Sequence, residues 1–284
     1  MIGAGTVGRA TGIGLQTKGH LVSFFDTSPK VMAQLRTEGL TTATSVQDLI
    51  EESQIVFLCL PTPVLDGGYD LSHIEDCVKA IAGFVENQIV VLRSTVLPGT
   101  TRKLSSLIPS NKLACNPEFL RQASALEDFL NPYRIVIGVK SDDTKNALMR
   151  LYENFGAPII ATDWESAELS KLISNAYLAA KISFFNESWL LSGVLGIDPT
   201  TVEKIVSSDG RIGSYGTRGG LPFDGKCLPK DVLALQGFGK ELGVELEILE
   251  AALRTNRRMN QHQPNLKAVT NMSRPVPIAT KPIK

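Results

Sequence analysis

The stretch "GAGTVG" at residues 3–8 has the spacing G-x-G-x-x-G, and Asp26 closes the apolar run "LVSFFD" eighteen residues after the last glycine. Glycines at this spacing allow a tight turn, a close approach of backbone amides to a pyrophosphate, and close packing of the next helix. An ordinary glycine-rich turn can share the pattern, but here the motif opens a helical segment and an acid ends the following strand. Because that acid would bind the ribose hydroxyls, the sequence predicts NAD, rather than NADP, as the cofactor.

Short apolar runs alternate with helix-length segments from the N-terminus to about residue 160. The runs are residues 21–25, 55–60, 89–92, 113–115, 135–139 and 159–161. This alternation indicates β-α-β units, and therefore an α/β fold with a Rossmann-type, doubly wound parallel sheet. Only two residues precede Gly3, fewer than the roughly five that a strand usually has, so we expect a short or incomplete first strand.

The rest of the chain has helical patterns only. Residues 163–195 contain no proline and carry apolar residues on more than one helical face, which predicts a long, largely buried helix. Further helices are expected at about 199–209, 230–242 and 245–262, and residues 263–284 have no apolar periodicity. We therefore predict an NAD-binding domain (1–162), an all-helical central domain with a long connecting helix (163–262), and an irregular tail (263–284).

Composition excludes several classes of partner. The 284 residues include 29 basic and 29 acidic side chains, so nothing favours nucleic acid or an anionic membrane. The four cysteines are far apart and form no C-x-x-C pair, which predicts reduced thiols, no metal site and a cytoplasmic protein. No apolar run reaches the roughly 18 residues that a membrane span needs.

Polar residues follow the predicted strands, where ligands bind in open α/β sheets. Thr62, Ser94 and Thr95 are placed to meet the dinucleotide, although turn residues alone would look the same. Glu118 follows the strand at 113–115, and its carboxylate suits either a general base or an ordinary helix start.

Two further candidates lie in the helical part. Lys171 and Asn175 are four residues apart on the long helix, so they share one face and could stabilise an oxyanion, or could serve as a surface lysine and a packing asparagine. Cys227, in "GKCLPKD", lies beside lysines at a predicted helix start. It is either a nucleophile with an increased thiolate fraction or a small apolar filler, and Asp231 could orient a water or balance the charge of the lysines.

Seven motifs in this order resemble the UDP-glucose/GDP-mannose dehydrogenase family. They are "GAGTVG", "PTP", "STVLPGT", "NPEFLR", "ELSKLISNAYLAAKISFFNE", "DGRIG" and "GKCLPKD", which together cover roughly residues 1–262. The resemblance implies NAD-dependent four-electron oxidation of a nucleotide-sugar C6 alcohol to a carboxylate, and "CLPKD" resembles the branch acting on UDP-glucose. It also implies a homodimer through the long helix, with Arg211 reaching the neighbouring subunit's site.

The resemblance also implies residue roles. Cys227 would be the nucleophile that forms a thiohemiacetal and then a thioester, and Glu118 would be the base in hydrolysis. Lys171 and Asn175 would stabilise the oxyanion, while Asp231 and Thr95 would position water and the reacting hydroxyl. The predicted cofactor contacts are Gly3, Gly5, Thr6, Val7, Gly8, Asp26, Lys30, Pro61, Thr62, Ser94, Thr95 and Lys230. The predicted substrate contacts are Glu118, Phe119, Leu120, Lys171, Asn175, Arg211, Phe223 and Gly225.

The chain departs from the family pattern at three points. Gln122 replaces a frequent second glutamate, Asp224 replaces a glycine before the cysteine, and the chain ends before the family's C-terminal nucleotide-sugar-binding domain. Two alternatives therefore stand beside the dehydrogenase: a truncated, non-catalytic NAD-binding and dimerisation module, and a two-electron dehydrogenase of the β-hydroxyacid type.

Overall fold

The computed structural model describes residues 1–65, 67–225 and 227–262. The chain divides into two compact units, Met1–Leu172 and Ile173–Lys284. The strands are β1 (Ile55–Leu58), β2 (Val64–Leu65), β3 (Gly68–Tyr69), β4 (Ile89–Leu92), β5 (Leu113–Cys115), β6 (Ile135–Val139) and β7 (Ile159–Thr162). The helices of the first unit are α1 (Thr6–Thr17), α2 (Pro29–Thr37), α3 (Val46–Glu51), α4 (Ser72–Ile81), α5 (Thr100–Leu104), α6 (Ala125–Leu130) and α7 (Asp142–Tyr152). Helix α8 (Trp164–Leu195) crosses the division, and α9 (Pro199–Ser207), α10 (Leu228–Glu241) and α11 (Glu247–His262) follow it.

The first unit is built on a mainly parallel sheet, as predicted, in the order β1-β4-β5-β6-β7. One pair differs from the prediction, because β5 and β6 are antiparallel, with Cys115 opposite Gly138. The segment between these strands contains α6, which packs against α1. This segment begins and ends at the same edge of the sheet, so β6 runs back in the opposite direction.

The predicted strand at residues 21–25 is wrong in extent. Among the described residues it forms only isolated parallel bridges, from Phe25 to Ile2 and from Phe24 to Thr42. Ile2 also bridges to Leu58 at the end of β1. The segments therefore lie side by side in the order Thr42, Phe24 and Phe25, Ile2, then β1, and the chain order reverses between Ile2 and β1. Ligands bind at such a switch point in doubly wound sheets.

Apolar side chains cover both faces of the sheet. Val56 and Leu58 of β1 pack in one buried cluster, while Phe57, between them, packs in the other with Val91 of β4. Alternation along a strand places successive side chains on opposite faces, so each face receives its own layer of helices. The two apolar cores confirm the predicted doubly wound arrangement.

The second unit is helical in its described residues. The prediction for residues 163–195 is confirmed as α8, but the helix is not largely buried in this chain. Large apolar side chains are exposed along it, with Ile173 51%, Tyr177 62%, Phe184 65% and Leu191 61% accessible. The predicted domain boundaries remain a prediction, and the predicted irregular tail, residues 263–284, lies outside the described residues.

Candidate active site

The glycine-rich turn follows Ile2 directly, at the switch point of the sheet. Gly3 has φ +86°, and a Cβ there would lie 2.5 Å from the Cys59 carbonyl oxygen. A Cβ on Gly8 would lie 1.9 Å from the Gly3 carbonyl oxygen, whereas a Cβ on Gly5 would meet no atom within 4 Å. Gly3 and Gly8 are therefore required by the fold, and Gly5 leaves an open backbone surface at the start of α1 that fits a pyrophosphate.

Asp26 lies beside this turn, as the sequence predicted. Its Oδ2 accepts a hydrogen bond from the Ala4 amide at 2.8 Å, and its Oδ1 accepts one from the Ser28 amide at 2.9 Å. A carboxylate oxygen has more than one acceptor position, so both oxygens retain capacity for ribose hydroxyls. Thr6 lies in the first turn of α1 and Lys30 in the first turn of α2, and both are exposed. The residues present therefore fit a bound dinucleotide.

Hydroxyl groups join the loops after β1 and β4. Ser94 Oγ accepts from the Leu60 amide at 2.8 Å and donates to the Leu60 carbonyl at 2.7 Å. Thr62 Oγ1 donates to the Thr95 carbonyl at 2.8 Å. Pro61 lies exposed between these anchors. The hydroxyls of Ser94 and Thr62 thus fix the two loops against each other, and their contact with the cofactor stays a prediction.

A buried ion pair lies at the end of β5. Lys171 Nζ is 3.1 Å from Glu118 Oε1, and the two side chains are only 4% and 7% exposed. Glu118 Oε2 accepts from the Leu120 amide at 2.6 Å. Two charges in such a position are costly to desolvate unless they are paired and hydrogen-bonded, and both conditions are met here. The sequence predicted both residues separately, and the structure brings them together.

Two cations, Arg134 and Lys171, lie near the ring of Phe119. The Arg134 guanidinium lies 3.8 Å from the centre of the Phe119 ring, and Lys171 Nζ lies 5.6 Å from it. Burial lowers the pKa of Arg134. The sequence analysis missed Arg134, because a single arginine before a strand has no pattern that marks an aromatic partner fifteen residues earlier.

The second unit holds a separate polar cluster. Asn175 Nδ2 donates to Asp231 Oδ2 at 2.6 Å, and Lys230 Nζ donates to Asp231 Oδ1 at 2.5 Å. Asp231 is 1% exposed and Asn175 7% exposed. Cys227 is exposed and is the N-cap residue of α10, and its carbonyl accepts from the Asp231 amide at 3.0 Å. The predicted nucleophile and the predicted water-positioning acid are thus joined through one turn of backbone.

The remaining predicted substrate residues are in the loop before α10 and in the turn after α9. Phe223 is buried, and Asn256 of α11 bonds both its amide, at 2.7 Å, and its carbonyl, at 3.0 Å. Gly225 has φ +86°, which favours glycine. Arg211 is exposed and pairs with Asp209 through its guanidinium at 2.6 Å. The sequence analysis missed Asn256, because a buried asparagine on an amphipathic helix looks like a surface residue.

Among the residues that the structure describes, no cluster of histidine, cysteine or acidic side chains could hold a metal ion. None of the described helices has the length and apolar character to cross a membrane.

The switch-point turn, Asp26 and the two-sided sheet define a dinucleotide-binding protein. Residues 1–156 match the NAD-binding domain of the UDP-glucose/GDP-mannose dehydrogenase family, and residues 165–258 match its central domain. The chain belongs to this family, as its motifs predicted, and its first unit carries the family's NAD-binding domain.

Individual relatives agree with this assignment. The chain is 34% identical, over 90% of its length, to the UDP-glucose 6-dehydrogenase YwqF of Bacillus subtilis, and 32% identical, over 90%, to the UDP-glucose 6-dehydrogenase of Rickettsia bellii. It spans 65% and 66% of those two proteins. The solved UDP-glucose dehydrogenase of Pyrobaculum islandicum superposes with a TM-score of 0.83 at 35% identity, covering 92% of this chain and 68% of that one.

Proposed function

We propose that this chain supplies the cofactor-binding and catalytic residues for NAD-dependent oxidation of the C6 hydroxyl of UDP-glucose to a carboxylate. The observation that carries the proposal is the buried Glu118–Lys171 pair at the end of β5. Family membership and the UDP-glucose dehydrogenases among the relatives support the substrate class. In the balanced reaction, one alcohol, one water and two NAD⁺ give one carboxylate, two NADH and three protons.

Lys171 and Asn175 act on the oxygen at C6. NAD, when held by the turn at residues 3–8 and by Asp26, would supply the hydride acceptor for each of the two oxidations. The Lys171 ammonium and the second N–H of the Asn175 amide donate hydrogen bonds to the C6 oxygen as negative charge develops on it. Asp231 fixes the rotamer of Asn175 through the 2.6 Å hydrogen bond, and Thr95 helps to position the reacting hydroxyl.

Cys227 makes the second oxidation possible. Its thiolate adds to the aldehyde carbon of the first product, forming a C–S bond and a thiohemiacetal, which loses the second hydride to become a thioester. Glu118 then accepts a proton from the water that attacks the thioester carbonyl, and the C–S bond breaks to release the carboxylate. The position of Cys227 at the N-terminus of α10 supports this role, because the helix dipole stabilises a thiolate there.

We also propose a homodimer through the helical unit, with Arg211 contacting substrate bound to the partner. The exposed apolar residues Ile173, Tyr177, Phe184 and Leu191 on α8 support it, because apolar surface of this extent favours burial against another chain. Sedimentation equilibrium measures the mass directly. A monomer at micromolar concentration would contradict the dimer.

The test of the activity is to add NAD and UDP-glucose to the protein and follow NADH by its absorbance. We expect two NADH per UDP-glucose consumed. The Cys227→Ser variant should lose steady-state turnover by roughly three orders of magnitude or more, because removing a covalent nucleophile has effects of that size. Cys77→Ser, in the half-buried α4 position, is the matched control and should keep the activity.

The alternatives give different results. A yield of one NADH per substrate would indicate a two-electron dehydrogenase. NAD binding with no NADH from any UDP- or GDP-sugar would indicate a non-catalytic module and would overturn the proposal.

A further inference from the structure

Glu168, on α8 three residues before Lys171, holds the N-terminus of α5. Its Oε2 accepts from the Gly99 amide at 2.7 Å, and its Oε1 accepts from the Thr101 amide at 2.7 Å and from the Thr101 hydroxyl at 2.6 Å. Glu168 is 2% exposed and Thr101 is fully buried. Burial raises the pKa of Glu168, while the hydrogen bonds from Thr101 and Gly99 lower it. One buried carboxylate therefore satisfies three donors of one loop.

That loop connects β4 to α5 and begins with the predicted cofactor residues. The first residue of the loop, Ser94, is hydrogen-bonded through its hydroxyl to Leu60, which follows β1. Val96, two residues further on, packs in the apolar core. Gly99, with φ +93°, turns the chain into α5. The conformation of residues 94–99 is thus set at one end by the neighbouring strand and at the other end by Glu168.

A simpler role for Glu168 would be to attach α5 to α8, but an ion pair at the surface already connects these two helices. Glu165, one helical turn before Glu168, pairs with Arg102 at 2.6 Å, with side chains 30% and 58% exposed. A second, buried carboxylate is costly to desolvate and adds nothing to that attachment that an apolar contact would not give. The carboxylate of Glu168 differs from such an apolar contact because its oxygens accept hydrogen bonds from the Gly99 and Thr101 amides.

We propose that Glu168 is a positioning residue, which fixes the loop of residues 94–99 and the start of α5 at the cofactor end of the sheet and so orients Thr95. It touches neither cofactor nor substrate, and it acts through the amides of Gly99 and Thr101. The link to turnover rests on the proposed function, whereas the link to NAD binding rests on the family's NAD-binding domain.

The test compares Glu168→Gln with Glu165→Gln in the intact protein. The glutamine amide nitrogen of Glu168→Gln would face a backbone N–H, so at least one loop amide loses its acceptor. We expect faster hydrogen exchange at Gly99 and Thr101 and an increase in the Kd for NAD of about tenfold, the equivalent of one lost charge-assisted hydrogen bond. Glu165→Gln removes the same charge from the same helix and should leave both unchanged.

Thr101→Val removes only the hydroxyl donor and keeps the side-chain shape, so it serves where Glu168→Gln fails to fold. It should raise the Kd for NAD in the same direction by a smaller factor. The double variant Glu168→Gln with Thr101→Val should show less than the product of the two single effects, because both act through one contact. The proposal would be overturned if the double variant raised the Kd for NAD by the full product of the two single effects, or if the Kd were unchanged in both single variants.

Turnover separates this proposal from the proposed function. With UDP-glucose, Glu168→Gln should lower kcat by about 10-fold to 100-fold, since a misplaced group costs rate, while the KM for UDP-glucose changes little. If the unmodified protein forms no NADH but Glu168→Gln still weakens NAD binding, the proposed function fails and the positioning role stands. If turnover is present and Glu168→Gln leaves kcat and the Kd for NAD unchanged, the positioning role fails alone.

Discussion

Replacing Gly8 with alanine should destabilise the first unit, while replacing Gly5 with alanine should mainly weaken NAD binding. The new Cβ at residue 8 would lie 1.9 Å from the Gly3 carbonyl oxygen and 3.2 Å from the Cys59 Cβ. Ordinary contacts of a Cβ lie at 3.4–4 Å, so the backbone of the turn or of α1 must shift by more than 1 Å. Overpacking against backbone costs about 3 kcal/mol or more.

Gly5 is the matched comparison, because the same methyl group is added three residues away. Its Cβ would meet no atom within 4 Å, and its φ of −70° suits alanine. The unfolding free energy of Gly5→Ala should stay within about 1 kcal/mol of that of the unmodified protein, because two small effects oppose each other. Alanine stabilises the protein by restricting the unfolded chain, and it destabilises α1 because it is a poorer N-cap than glycine. Its methyl group fills the space proposed for the pyrophosphate, so the Kd for NAD should rise by about 100-fold or more, equal to about 2.7 kcal/mol.

Thermal unfolding and titration calorimetry with NAD measure the two effects separately. For Gly8→Ala, a loss of about 3 kcal/mol corresponds to a decrease in Tm of roughly 6–12 °C for a unit of this size. The reasoning would be refuted by a Gly5→Ala variant that binds NAD normally, or by a Gly8→Ala variant with an unchanged Tm.

Two further predictions concern charge and thiol chemistry. Hydrogen bonds from Arg121, with its charge, lower the pKa of Asp128 below 3.8, so the pair contributes stability above that pH and loses it as the pH falls through the lowered value. Arg121→Gln should therefore lower Tm at pH 7, and the difference should shrink as the pH falls through the lowered pKa of Asp128; a pH-independent difference would contradict the pairing. In alkylation at pH 8, exposed Cys227 should react readily, whereas Cys115, 1% exposed and with its pKa raised by burial, should react only as fast as the protein unfolds. Mass spectrometry of the modified peptides measures both rates, and equal labelling would contradict the burial of Cys115.

The cofactor end of the sheet could be predicted from sequence because its signals are local. The spacing of Gly3, Gly5 and Gly8 specifies a turn conformation, and Asp26 falls at the end of an apolar run. Each requirement concerns backbone geometry within a few residues, so the structure reproduces it. The strand at residues 21–25 was overestimated for a related reason: its apolar content is high, but among the described residues of this run only Phe24 and Phe25 form β-bridges.

The antiparallel β5–β6 pair and the partners of the polar residues could not be predicted in this way. Strand direction depends on which edge of the sheet the 116–134 segment returns to, and alternating apolar runs carry no information about that. The contact between Lys171 and Glu118 joins residues 53 positions apart, and the contact between Asn175 and Asp231 joins residues 56 apart. Each of these residues could be identified as a candidate from the sequence around it, but the residue that it contacts could not be predicted.

Helix α8 shows why its helical pattern could be predicted from the sequence, and Lys171 and Asn175 chosen as candidates, while the partners of its buried polar residues could not. Its buried positions include Glu168, Lys171, Asn175 and Asn186, and these follow the same three- and four-residue spacing as its buried apolar residues. A polar residue on that stripe is stable only if a specific acceptor or donor meets it, and each one does: the α5 amides, Glu118, Asp231, and the Leu221 carbonyl with the Gly220 amide. Because a helix turns about 100° per residue, inserting one residue between positions 168 and 171 would turn Glu168 away from the α5 amides or Lys171 away from Glu118, although the helix itself would be kept. The register of α8, rather than its amphipathic pattern, therefore decides which polar side chains of the first unit meet their partners.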